Sequence, residues 1–364
     1  MVKSADLSYK ITYFMKKYLT VLKRIYLIYN NIIIRNNMVL YIIRRLLMMI
    51  PMFIGITIIC FIVIHLAPGD AAEMRAAMGQ KYSETARAKF EKLYGLDKPL
   101  YEQYIIWLKK VVRLDFGESF AIDGRSVSEK IGERIHITVG LNLLSMFFIF
   151  LIGLPLGVLS AYYQNSIFDK AVTVIVFIGF AVPTFWLAVI CMYYFSIYLG
   201  WLPISGLYTE YIYDTLSFWG KVKDVAAHLI LPLSISVFGS LAGISRFART
   251  STLDVLHEDY ITAARARGIG EGKVLFSHAL RNALLPVITI LGLSIPGLIG
   301  SSVIFESIFS IPGMGQLFYN SVMMRDYPVI MGILVIGALL TLIGNFIADI
   351  AYAYADPRIR YGKK

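Results

Sequence analysis

Six stretches of the chain contain no Asp, Glu, Lys or Arg: residues 46–66, 137–163, 171–204, 225–245, 283–305 and 327–348. About 20 helical residues at about 1.5 Å rise cross a hydrocarbon core of roughly 30 Å, so each stretch is long enough to span a bilayer. Helices are the only open-chain way to satisfy every backbone group there. The pattern therefore predicts an all-α polytopic membrane fold with six transmembrane helices. The third stretch exceeds one span, and its Gly200-Trp201-Leu202-Pro203 end reads as an interfacial turn with an aromatic anchor. Between the first two spans, residues 67–136 mix twelve basic with eleven acidic residues, the balance of a small folded insertion. Within it Ser83 is positioned to cap a helix through Tyr94, Lys98-Pro99 introduces an apolar-patterned run to Val112, and Ser126-Val127-Ser128-Glu129 fits a capping box leading into the second span.

Composition sharpens this reading. Of 364 residues 57% are hydrophobic and 16% charged, against roughly 25% charged in an ordinary soluble domain. The net charge of +11 must sit in the loops, where its expected role is to orient the chain in lipid and not to bind nucleic acid. The N-terminal segment, Lys170, the stretch from Arg246 to Arg281 and the tail hold twenty Lys and Arg, whereas the alternate short loops hold Lys221, Lys223 and Arg325. That asymmetry places both termini and the tail over 353–364 in the cytoplasm, and the insertion then lies outside by parity.

Residues 1–37 form a cytoplasmic extension in which Lys3, Lys10, Lys17 and Arg24 recur every seven residues opposite Ile11, Phe14, Tyr18, Leu22, Ile25 and Tyr29. Such a stripe suits a helix lying on anionic membrane lipid. The alternative is that translation starts at Met38. Residues 46–66 are too long for a signal h-region, and Pro68 follows Ala67 directly, so 38–66 is expected to be an uncleaved first helix.

Candidate chemistry is sparse. Cys60 and Cys191 lie inside apolar stretches and read as buried small hydrophobes. His65, His136, His228, His257 and His278 show no ligand spacing, and no GxSxG nucleophile motif occurs, so neither a metal site nor acyl-transfer catalysis is expected. The string GIGEGK over 268–273 fails as a phosphate loop, because Arg267 stands where a glycine is needed and Val274 where Ser or Thr is needed. No cofactor, ATP included, is expected on this chain.

The segment of greatest interest is the loop over 249–285. Ala263, Ala264 and Ala266 are small and strong helix formers that let another protein approach closely, Gly268 supplies a helix stop, and Glu258, Tyr260, Thr262, Arg265, Arg267 and Glu271 surround them. All ten are candidate docking residues. Small polar positions in the apolar stretches, Ser145, Thr184, Ser236, Ser240 and Ser294, are candidates for lining a pathway, though such residues also serve helix packing.

At this loop the chain resembles the permease subunits of ABC importers of the peptide/nickel type (oligopeptide and dipeptide importers). The EAA loop of that family corresponds to Thr262-Ala263-Ala264 with Gly268 four residues on, followed by HALRNALLPV over His278 to Val287. Thr262 departs from the usual Glu. Further matches are LDFGES from Leu114, VPTFW from Val182, LGWLPISG from Leu199, ESIFSIPGMGQL from Glu306, RDYP from Arg325 and DPRIRYG from Asp356, in order from about Met38 to Gly362. The resemblance implies half of a translocation pore, a second homologous permease subunit, two cytoplasmic ATP-binding subunits carrying ATP and Mg, and an extracytoplasmic solute-binding protein that delivers peptide. It also implies a coupling helix near Tyr260 to Arg267. Nickel chelates, glutathione or another small peptide-like solute are alternative cargoes. An ion-coupled secondary transporter would need carboxylates at mid-membrane, and Glu306 and Asp349 fall at the ends of apolar stretches.

Overall fold

The computed structural model describes residues 38–66, 98–121, 123–284, 287, 290, 291, 294, 297 and 303–355. The extension over 1–37, the helix expected from Ser83, most of the fifth apolar stretch and the tail beyond 355 lie outside these residues. The described residues are helical apart from turns and one isolated bridge, Glu118 to Ser126.

In chain order the helices are α1 (Met38–Leu66), α2 (Leu100–Val111), α3 (Val127–Tyr162), α4 (Ile167–Ala181), α5 (Thr184–Cys191, continuing as π-helix over Met192–Tyr198), α6 (Phe218–Leu256) and α7 (Asp259–Ala266). There follow α8 (residues 271–283, with a π-helical centre over Val274–Ala279), α9 (Val303–Ile308), α10 (Met314–Met323) and α11 (Tyr327–Ala355). Four of them carry windows long and apolar enough to cross a membrane: Tyr41–Val63, Val127–Tyr162, Phe218–Leu256 and Tyr327–Ile350. The third apolar stretch differs from its expected single span with a turn at Gly200. It breaks between α4 and α5, where the helix axes bend by 96°. The cause is local: Pro183 has no N–H to continue the ladder, and its ring pushes Val182 to an extended ψ of 125°.

Contacts divide the chain into two units, one of residues 1–129 with 322–364 and one of residues 130–321. In the first, α1 and α11 pack side by side, and Ile58, Phe61, Tyr104 and Met331 form a buried cluster. Thr57 and Tyr104 share a hydrogen bond of 3.0 Å between their hydroxyls. Asp326, just ahead of α11, accepts from Ser119 Oγ and from the Phe120 N–H at 3.0 Å. Two sequence matches about 200 residues apart, LDFGES and RDYP, are thereby joined by one buried carboxylate.

In the second unit α6 is the spine. A Cβ on Gly157 of α3 would overlap the Ser245 carbonyl oxygen of α6, and one on Gly179 of α4 would lie 2.6 Å from the Phe238 carbonyl oxygen. Glycine at these contacts lets helix backbones approach closely, as in membrane bundles generally. At the other end of α3, Glu306 is 2% exposed and accepts from Thr138 Oγ1 (2.9 Å) and from the N–H groups of Gly315 (2.7 Å) and Gln316 (3.2 Å). Thr138 Oγ1 accepts in turn from the Met314 N–H at 2.8 Å, so one hydroxyl and one carboxylate fold the IPGMG loop.

Candidate functional site

The chain leaves α6 at His257 and enters α7 after Glu258, whose extended backbone (ψ 146°) occupies the N-cap position. Helix α7 ends in a Schellman motif: the Gly268 N–H donates to the Arg265 carbonyl (2.9 Å) and the Ile269 N–H to the Ala264 carbonyl (3.3 Å). Gly268 adopts φ +77°, a conformation costly for any residue with a Cβ, so its reading as a helix stop holds. The bend returns the chain as α8, and the two short helices close over a core of Ile261, Ala264, Val274, Leu275 and Ala279 with Val158 of α3.

That core sorts the expected docking residues. Glu258, Tyr260, Thr262, Ala263, Arg265, Ala266, Arg267, Gly268 and Glu271 are exposed. Ala264 is not: it is 2% exposed and packs inward beside Ile261. The expectation that all three alanines form one open face is corrected by helical periodicity, since 261 and 264 are one turn apart on the side facing α8. The outer face is Asp259, Thr262, Ala263 and Ala266. Polar ties hold the hairpin at its flanks. Arg265 Nε and Nη2 donate to both Glu271 carboxylate oxygens (2.9 and 3.3 Å), and Asn282 Nδ2 donates to the Tyr260 hydroxyl at 2.7 Å.

Helices α3 and α6, against which the hairpin packs, are joined to α4 by an ion pair that the sequence did not reveal. Arg249 of α6 donates through Nε and Nη2 to the two Asp169 oxygens, both at 2.8 Å, and Asp169 is 4% exposed. The same carboxylate accepts from Ser160 Oγ of α3 and from the Asn165 N–H at 3.0 Å. Three helices thus converge on one side chain, 80 residues from its Arg partner in sequence. The only signal was the capping pattern Ser166-Ile167-Phe168-Asp169, in which Ser166 caps α4.

Of the candidate pathway residues, Thr184 and Ser240 are exposed, Ser236 and Ser294 are half-buried, and Ser145 is buried at 5% exposure. Ser294 Oγ donates to the Ile290 carbonyl of its own turn at 2.8 Å. Thr184 lies against Gly239 of α6, so the structure brings it beside the segment that carries Ser236 and Ser240. Glu306, read as marking the end of a stretch, is a buried acceptor of the second unit. His228 and His257 donate through Nδ1 to carbonyls four residues back, at 2.8 and 2.7 Å, and no metal-binding cluster occurs among the described residues.

The family model described as "Binding-protein-dependent transport system inner membrane component" matches residues 153–361, and its N-terminal companion matches residues 38–142. The oligopeptide transport system permease protein AppB of Bacillus subtilis is 47% identical over 324 residues, covering 89% of this chain and 100% of the relative. The dipeptide transport system permease protein DppB of Alkalihalophilus pseudofirmus is 38% identical, with 89% and 100% covered. A solved MetNI methionine ABC transporter in an inward-facing conformation aligns with a TM-score of 0.43 and 22% identity, over 61% of this chain and 95% of that one.

Proposed function

This chain belongs to the family of binding-protein-dependent transport system inner membrane components, and we propose that it is the permease subunit of an ATP-driven importer that brings peptides across the cytoplasmic membrane. It forms half of the translocation pore beside a second permease. Two separate ATP-binding subunits, which hold ATP and Mg, dock on the α7 hairpins, and an extracytoplasmic binding protein delivers the peptide. The hairpin faces the cytoplasm, as do both termini.

The observation that carries this reading is the outer face of α7: a short, firmly terminated helix presenting Thr262, Ala263 and Ala266, too small to hold a partner away, with Arg265 and Arg267 beside them. The peptide cargo is supported by similarity along the whole length of permeases named for oligopeptides and dipeptides. ATP must bind one global state of the assembly better than the other, and a rigid hairpin is what such a bias can push on.

The test is uptake of labelled trialanine into proteoliposomes that hold this chain, its partner permease, the ATPase subunits and the binding protein. Uptake is expected to require ATP and all components. Ala263→Glu, which places a long charge on the outer face without touching the hairpin core, should abolish ATPase co-purification and uptake at unchanged chain yield. Normal association and uptake by Ala263→Glu would remove α7 from the docking role.

A further inference from the structure

The break between α4 and α5 leaves main-chain groups without partners in a place where lipid cannot supply them. Val182 donates to the Ile178 carbonyl, and Trp186 and Leu187 donate to the Pro183 carbonyl. Between those bonds the carbonyls of Gly179, Phe180, Ala181 and Val182 and the amides of Thr184 and Phe185 have no hydrogen-bond partner among the described residues. The depth of the break follows from its neighbours on α6. Gly179 packs on Phe238 and Thr184 on Gly239, both inside the uncharged stretch 225–245. Gly239 lies six residues, or about 9 Å of helix, from the nearer end of that stretch. Yet Ala181, Pro183 and Thr184 are exposed, as are Phe180, Phe185 and Trp186.

Open backbone at membrane depth survives only where other protein covers it or where it lines a water-filled cavity. Broken helices of this kind place free carbonyls and amides beside the solute in membrane transporters. We infer that the α4–α5 break faces the aqueous pathway and that its carbonyls and amides hydrogen-bond the main chain of an extended peptide in transit. This inference rests on the peptide-importer reading. The chemistry suits cargo of variable sequence: a peptide main chain offers N–H donors and C=O acceptors whatever its side chains, and paired main-chain bonds supply affinity without reading residues. The exposed rings of Phe180, Phe185 and Trp186 add apolar contact that tolerates different side chains.

The experiment uses the full importer in proteoliposomes, with Cys60→Ser and Cys191→Ser and a single new thiol at Ala181→Cys. Thr215→Cys, in a short exposed loop, is the water-exposed reference. A small water-soluble methanethiosulfonate should label Ala181→Cys at a rate within about tenfold of the reference, as a position bordering water rather than lipid requires. Trialanine supplied with binding protein and ATP should slow that labelling by about tenfold, as for a site nine-tenths occupied, and leave the reference unchanged. Labelling slower than a tenth of the reference would mean the break is covered by protein, and would overturn the inference. Rapid labelling indifferent to trialanine would overturn the peptide contact. Thr184→Cys, read by the same criteria, replaces Ala181→Cys if that variant does not assemble. Trialanine uptake by the cysteine-free complex is measured in parallel: its absence overturns the importer reading itself, whereas uptake with an unprotected thiol overturns only this one.

Discussion

Ala263 and Ala264 are adjacent and chemically identical, and the fold gives them opposite roles. Ala264 fills the space between α7 and α8 against Val274 and Leu275, while Ala263 points out of the hairpin. Substituting Glu should separate the two readouts. Ala264→Glu forces a carboxylate into an apolar core and should destabilise the hairpin by about 3–5 kcal/mol, the scale of an uncompensated buried charge. Lower yield and a lower thermal unfolding midpoint of the purified chain in detergent are expected, effects that Ala263→Glu should not show. Equal stability of the two variants would mean that Ala264 is not packed inward. Ile261 and Ala264 share a helical face, but that this face is the covered one depends on α8 folding back to bring Val274 and Leu275 against it.

At the scale of elements, Asp169 ties the starts and ends of α3, α4 and α6 together. Its two charge-assisted bonds from Arg249 compensate its burial, whereas Arg249 itself keeps part of its side chain in contact with solvent. Arg249→Met, which leaves the buried Asp169 carboxylate without its counter-charge, should therefore destabilise the purified chain by about 3–5 kcal/mol, and Asp169→Asn should cost less because the partly exposed guanidinium can be hydrated. The double variant Asp169→Asn with Arg249→Met removes both charges and should recover most of the loss. A double-mutant cycle on thermal unfolding reads this coupling directly, and strictly additive losses would show that the pair contributes nothing as a pair. Gly157, seated on the Ser245 carbonyl one turn from Arg249, keeps α3 close enough for Ser160 to reach the same carboxylate.

For the whole molecule the governing asymmetry is charge. Twenty basic residues fall on one set of segments and three on the other, and the α7 hairpin belongs to the rich set, which is the ground for proposing that it faces the cytoplasm. In a background with Cys60 and Cys191 replaced, Thr215→Cys should react with a membrane-impermeant reagent on intact cells. Ser277→Cys, which is exposed on α8, should react only after the cells are opened. The reverse pattern would invert the topology and place the hairpin where no cytoplasmic ATPase could meet it.

Fold class, four of the six expected spans, the start of α3 at Val127, the short helix near 260 and its stop at Gly268 were legible in the sequence. Each follows from local rules: absence of charge over a bilayer's thickness, a capping pattern, and the conformational freedom of one glycine. The Val182-Pro183 break has a local cause as well, a proline inside a stretch too long for one span. Tertiary structure alone decided which alanine faces outward, which carboxylates are buried and what they hold. Asp169 meets Arg249, Ser119 meets Asp326 and Thr138 meets Glu306 across 80, 207 and 168 residues of chain. No periodicity reports such pairings, because they depend on which helices lie side by side, and that is settled by packing between segments distant in sequence.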